Sequence, residues 1–262
     1  MGLILLPLAL IAYFLAIFLA GIGSLNRSEA TQRGSTALLG AAWVLQFAAI
    51  VERGISRAHF PLTSAGEYLL AFGWVVLGFH LVLSLRSRIQ ATGLVLPPLA
   101  FLATLFSLVT QADQVSLPEG QQKGWFIFHT TIATLGMAAL GVAFAMSLIY
   151  LAMDRVLKSK KTPRLVELLP SLDTCDRLGY HALLLGFPLL TLGIATGSVW
   201  SESVHHRYWI GGAKQTFPLL AWAVFAVVLY ARLARGYRGR KSAYLTIAGF
   251  ALGLLTVLGM GR

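Results

Sequence analysis

The stretch WFIFHTTIATLGMAALGVAFAMSLIYLAM, residues 125–153, holds no Asp, Glu, Lys or Arg from end to end. A bilayer's hydrocarbon core is about 30 Å thick, and roughly 20 apolar residues cross it as a helix. This run is long enough to do so, and it has counterparts on both sides. Working outward, spans are expected at Leu3–Ile22, Thr36–Ile50, Gly66–Leu85, Thr92–Thr110, Trp125–Met153, Leu178–Ser198, Thr216–Ala234 and Ser242–Met260. A backbone facing lipid must satisfy its own hydrogen bonds, so all of them are read as helices. The expected fold is all-α: a polytopic membrane helix bundle of about eight transmembrane helices, in one membrane domain over residues 1–262.

Composition agrees with that solvent. Hydrophobic residues make up 57% of the chain and charged ones 12%, against roughly a quarter charged in soluble domains, too few to cover a water-facing surface. The net charge of +11 does not imply nucleic acid, because the bases sit in the short segments between apolar runs and no basic arm is present. Cys175 is alone, which excludes an internal disulfide and a Cys-x-x-Cys redox pair. The first run starts straight after Met1 and Gly2 without a basic segment. It ends near Gly21–Ser24 without a small-x-small cleavage site, so it is expected to be a retained helix.

Positively charged connections stay in the cytoplasm. Connections after the first, third, fifth and seventh spans carry 15 Lys and Arg; the opposite side, counting Arg53, Arg57, Lys123, Arg207, Lys214 and Arg262, carries 6. Both termini and the segments around 51–65, 111–124 and 199–215 are therefore expected on the outer face. The long inner connection 154–177 is expected to contain a short amphipathic helix at Arg164–Leu172 lying against lipid headgroups.

Six histidines are the conspicuous candidate ligands, since ionisable groups inside a membrane are expensive without a partner or a role. His80 and His181 lie at matching depth, roughly 5–8 Å inside the inner boundary. His129 lies near the outer end of its span, with His205 and His206 in the outer segment beyond the sixth span. Two such groups of imidazoles, one near each face, suit haem iron in an apolar bundle, with basic or amide groups meeting the propionates. Each histidine also reads as a hydrogen-bonded interface residue, and His59 reads as ordinary surface. Glu67 reads either as a helix N-terminal carboxylate or as a partner for Arg53, Arg57 or His129. Trp125, Trp200, Tyr208 and Trp209 form an interfacial aromatic belt or a stacking platform. No phosphate-binding glycine loop, His-Glu-x-x-His or nucleophile with its base is present, so nothing in the sequence argues for an enzyme.

From Tyr180 the chain reads YHALLLGFPLLTLGIATGSVW, then from His205 HHRYWIGGAKQTFPLLAWAVFAVVLYARLARGYRGRKSA. This resembles the cytochrome c assembly family of CcsA-like haem-handling proteins, which share a GFPLLTxGIxxGxVW stretch leading into a tryptophan-rich outer segment. Residues 60–74, FPLTSAGEYLLAFGW, look like the segment before the family's core, and 126–148 look like the helix carrying its first outer haem-ligating histidine. The likeness runs over about 60–245.

The resemblance implies haem b as cofactor, with His129 as outer axial ligand and the 200–216 segment, including Trp200, Trp209, His205 and His206, presenting the macrocycle. His181, with or without His80, would serve the inner face. A lipid bilayer and another cytochrome c maturation or haem-metabolism membrane protein would be the partners, in a bacterial inner membrane.

Departures matter too. Where the family reads Y-W-S-W-D-P-K-E-T-W, this chain has Tyr208, Trp209, Ile210, Gly211, Gly212, Ala213, Lys214, Gln215, Thr216 and Phe217. Tyr230 stands where the family has an inner histidine, and either ligates ferric iron or fills the old place. The family's last outer histidine has no counterpart before Arg262. A thioether-forming synthase working alone is not expected, and the short form looks closer to the HemX/YpjD-like branch. The alternative is a haem-free membrane interaction or regulatory subunit that retains the fold.

Overall fold

The computed structural model describes residues 2–26, 28–87, 90–110, 124–159 and 169–258. Among them are eight α-helices and no strand: α1 Gly2–Asn26, α2 Glu29–Arg57, α3 Ala65–Ser87, α4 Leu96–Val109, α5 Gly124–Ser159, α6 Leu172–His205, α7 Ala213–Arg235 and α8 Arg240–Leu258. A 3-10 turn, Gln90–Leu94, leads into α4. Seven helical stretches, all but α8, are long and apolar enough to cross a membrane, so the chain is a multi-pass membrane protein. Most of the expected amphipathic helix at Arg164–Leu172, and the segment 111–123, lie outside the described residues; Leu172 opens α6.

Local chemistry sets the helix ends. Ser28 caps α2 by accepting from Thr31 N at 3.3 Å, and Ser171 caps α6 by accepting from Thr174 N at 3.2 Å. α7 stops at Gly236, whose φ of 62° lets Tyr237 N reach back to Ala231 O at 3.2 Å and satisfy a terminal carbonyl. One expected boundary moves. α2 runs well past Thr36–Ile50 in both directions: Glu29, Arg33, Glu52 and Arg53 stay helical although they are too polar for the bilayer core. Pro97 and Pro98 lie inside the apolar stretch Thr92–Val109, in the first turn of α4, where a missing N–H costs nothing.

Successive helices run antiparallel, in hairpins α1–α2, α3–α4 and α7–α8 set around the α5–α6 pair. α5 is the most enclosed span and touches α6, α8 and α3. Its seam with α6 is built on glycines seven residues apart. A Cβ on Gly179 would lie 3.4 Å from Met146 Cβ, one on Gly186 2.8 Å from Leu140 Cγ, and one on Gly193 3.3 Å from Ala133. In lipid no hydrophobic force drives helices together, so this close backbone approach and its dispersion contacts replace it. One apolar core takes residues from every helix, among them Tyr13, Leu39, Phe72, Leu96, Met146, Leu183, Phe225 and Phe250.

Polar bonds stitch the first four helices instead. Tyr13 on α1 donates to Gln46 Oε1 on α2 at 2.7 Å, and Gln46 Nε2 donates to Leu70 O of α3 and to Thr104 Oγ1 of α4, both at 2.9 Å. Trp43 and Trp74 stack at 4.8 Å, and each indole N–H donates to the other residue's carbonyl.

Candidate functional site

His129 sits where the glycine seam of α5 and α6 opens toward the end of the bundle that carries the α2–α3 and α6–α7 connections. Its Nδ1 lies 2.8 Å from the carbonyl oxygen of Gly193. A carbonyl only accepts, so Nδ1 carries the proton and Nε2 keeps its lone pair. Thr196, one turn on, donates its hydroxyl to Leu192 O at 2.7 Å and lies 3.4 Å from Nδ1. Gly197 supplies the room: a Cβ there would stand 2.6 Å from Cε1 and 3.2 Å from Nε2 of His129. Any larger residue would turn the ring out of its bond. A histidine whose Nδ1–H is fixed on a backbone carbonyl is the arrangement that readies Nε2 for a metal.

One turn toward the helix ends, Trp200 of α6 packs on Phe126 of α5 at 5.3 Å and meets His205 edge-on at 6.2 Å. Its Nε1–H is buried and has no hydrogen-bond partner, a cost that a ligand oxygen would relieve. α6 then stops at His206, which takes the left-handed conformation at φ 55° and sends its N–H to Glu202 O at 2.8 Å.

The connection that follows is pinned from within. Ser201 Oγ donates to Arg207 O at 2.8 Å, and the amides of Ile210 and Gly211 donate to Gln215 Oε1 at 2.7 and 2.9 Å. Gly211 and Gly212 sit at φ 84° and 87°, the left-handed region that favours glycine. The turn leaves Tyr208, Trp209 and Ile210 each at least half exposed, with His205 and His206 exposed beside them.

The inner candidates are not brought together. His80 on α3 is 4% exposed, with Nδ1 3.1 Å from Thr92 Oγ1 of the 3-10 turn. His181 lies on an exposed face of α6, next to Tyr180, whose ring is covered by the Arg232 guanidinium at 4.5 Å. Tyr230 is 66% exposed on α7. No hydrogen bond or ring contact joins these three.

One polar grouping escaped the sequence reading. At the basic end, Asp154 of α5 pairs with Arg240 of α8, and Asp176 of α6 pairs with Arg232 of α7. A cavity of about 20 Å³, enough for one water, lies beside them among Ser147, Tyr150, Cys175, Asp176 and Thr246. At the opposite end, Glu67 combines the two roles expected of it, helix N-terminal carboxylate and ion-pair partner of Arg57. Its N–H donates to Ser64 Oγ at 3.2 Å, and its carboxylate accepts from Thr63 N at 2.8 Å and Arg57 Nη1 at 3.0 Å. For the Asp154 and Asp176 pairs the available signal was scarcity: with 10 acids against 21 bases, an acid flanking a span has a base within reach.

The class so defined is an all-α, multi-pass membrane bundle that holds an imidazole with an unused Nε2 lone pair in a glycine-lined seam. Residues 62–261 match the family model for Cytochrome C assembly protein, and the chain belongs to that family. It is 28% identical over 272 residues to the "Cytochrome c biogenesis protein CcsA" of Microcystis aeruginosa (strain NIES-843 / IAM M-2473), covering 86% of this chain and 80% of that one. It is 29% identical over 298 residues to the protein of the same name from Gloeothece citriformis (strain PCC 7424), covering 95% and 86%. Among solved structures, a "Cytochrome c Heme Lyase CcmF" superposes with a TM-score of 0.72 at 20% identity, over 99% of this chain. That likeness is one of fold, and this chain spans 46% of that structure's length.

Proposed function

We propose that this protein handles haem for cytochrome c assembly in a bacterial inner membrane, with His129 as the residue that would ligate it near the outer face. The observation that carries the reading is the Nδ1–H bond from His129 to Gly193 O, which leaves Nε2 able to bind iron. Two features fit the group itself: Gly197 leaves the ring a place that any Cβ would fill, and the buried Trp200 Nε1–H lacks an acceptor of the kind a propionate offers. Haem b bound there would supply redox-active iron and the vinyl groups that cytochromes c carry as thioethers. The chain's own residues fix the imidazole tautomer and pack Phe126 against Trp200 beside it, and Trp209, His205 and His206, exposed on the following connection, would help to hold the group.

In this reading both termini face outward, the basic end faces the cytoplasm, and His181 meets haem, or a partner protein that delivers it, on an exposed flank of α6. The test is expression with ample haem, purification in detergent and absorbance spectroscopy. Wild type shows a Soret band, and a His129→Ala, His181→Ala double variant that keeps that band in full removes the assignment. Haem-free protein copurifying stoichiometrically with a membrane partner would replace it with an interaction subunit.

A further inference from the structure

Arg53 lies one turn before Arg57 on α2 and is 9% exposed, yet its Nη1 is sealed from solvent and has no hydrogen-bond partner. The nearby acid is already used. Glu67, whose side chain is 0% exposed, takes Arg57 Nη1 at 3.0 Å, Thr63 N and Thr63 Oγ1 at 2.8 Å each, and has His59 Nε2 at 3.7 Å. Glu67 and Glu52 both act on Arg53 through space, but neither accepts a hydrogen bond from its Nη1. A guanidinium cannot shed its proton to ease burial, and a buried N–H of a charged group left without an acceptor is costly.

The ground around it is shaped. The 58–64 connection turns on Ala58 at φ 52° and comes back to within ordinary contact of the turn of α2 that holds Arg53. A Cβ on Gly54 would stand 3.4 Å from Pro61 Cδ and 3.5 Å from His59 O. Arg53 is four residues from the end of α2, roughly 6 Å along its axis.

We propose that Arg53 is the centre of an oxyanion site at this end of α2, roofed by residues 58–64, that takes a phosphate group from a lipid headgroup or from solution. The planar fork of its guanidinium suits two oxygens of one phosphate, and occupancy gives the buried N–H an acceptor. The site is separate from His129 and does not depend on haem.

The test uses the full chain in a phosphate-free maltoside, following thermal unfolding by tryptophan fluorescence. Inorganic phosphate is added in one arm, and phosphatidylglycerol in mixed micelles in the other. The wild-type midpoint rises by about 4 °C at ten times Kd. Arg53→Gln shows no rise, Arg53→Lys a smaller one, and Arg33→Gln, in an exposed ion pair on the same helix, rises like wild type. A rise with phosphate alone assigns a free ion, and a rise only with phosphatidylglycerol assigns a headgroup; both support the site. No rise in either arm, or equal rises in wild type and Arg53→Gln, overturns it. Should Arg53→Gln fail to fold, equal rises in wild type and Arg53→Lys overturn it instead.

Discussion

His80 and His129 are two membrane-embedded imidazoles on neighbouring helices, each bonded through Nδ1, and their surroundings assign them different work. His129 is bonded to a carbonyl, which fixes one tautomer; His80 is bonded to a hydroxyl, which both donates and accepts and so fixes none. His129 keeps partial exposure and lies against a glycine with no spare room, whereas His80 is buried at 4% and faces Gly93 across an ordinary gap. A histidine inside a membrane is thus a better candidate ligand when its tautomer leaves the second nitrogen a lone pair and its ring is not fully enclosed. We read His129 as the ligand and His80 as the strut that ties α3 to the turn before α4.

The largest difference between them should appear in haem content. Replacing His129 with Ala is expected to cut haem per protein at least tenfold, in line with losses at metal ligands and their supports, whereas His80→Ala keeps haem within about twofold and lowers the unfolding midpoint. Pyridine haemochrome assay on purified protein reads the first and a thermal melt the second. The reverse pattern would interchange the two roles.

A steric pair of substitutions sharpens the contrast. A Cβ on Gly197 falls 2.6 Å from His129 Cε1, inside any real contact, while one on Gly93 falls 3.5 Å from His80 Cε1. Gly197→Ala should therefore displace the His129 ring from Gly193 O and lower haem occupancy several-fold in a folded protein. Gly93→Ala should leave both haem content and the melt close to wild type. Haem content unchanged in Gly197→Ala would show that the ring's seat does not govern binding.

How much of this was legible follows from which interactions are local. The helices could be read because a lipid-facing backbone has one way to pair itself, and the run 125–153 announced α5 without any knowledge of its neighbours. The true length of α2 could not, since hydropathy marks where lipid lies and not where a helix stops: Arg53 and Arg57 are helical but no longer in the apolar core. His129 was recognisable by resemblance. Its acceptor is 64 positions away in Gly193, and the rotation that points one at the other is set by the glycine seam, which spacing within a single helix does not encode. Counting residues placed His80 and His181 at matching depth but not at a matching rotation, and the first faces a turn while the second faces an exposed flank.

The smallest expected effect concerns the hydroxyls beside the two rings. Thr92→Val removes the partner of His80 Nδ1 at a site that is 0% exposed, leaving a buried ring nitrogen without its bond. Within membranes such bonds contribute about 0.5–2 kcal/mol, so the melt should fall by a few degrees. Thr196→Val takes a hydroxyl from 3.4 Å of His129 Nδ1, but the ring keeps its shorter bond to Gly193 O, and the lost hydroxyl was chiefly engaged with Leu192 O of its own helix. Its melt should stay within about a degree of wild type, since valine fills the same volume. If Thr196→Val is instead the more damaging of the two, the carbonyl is not what holds His129, and the argument that its Nε2 is free for iron loses its footing.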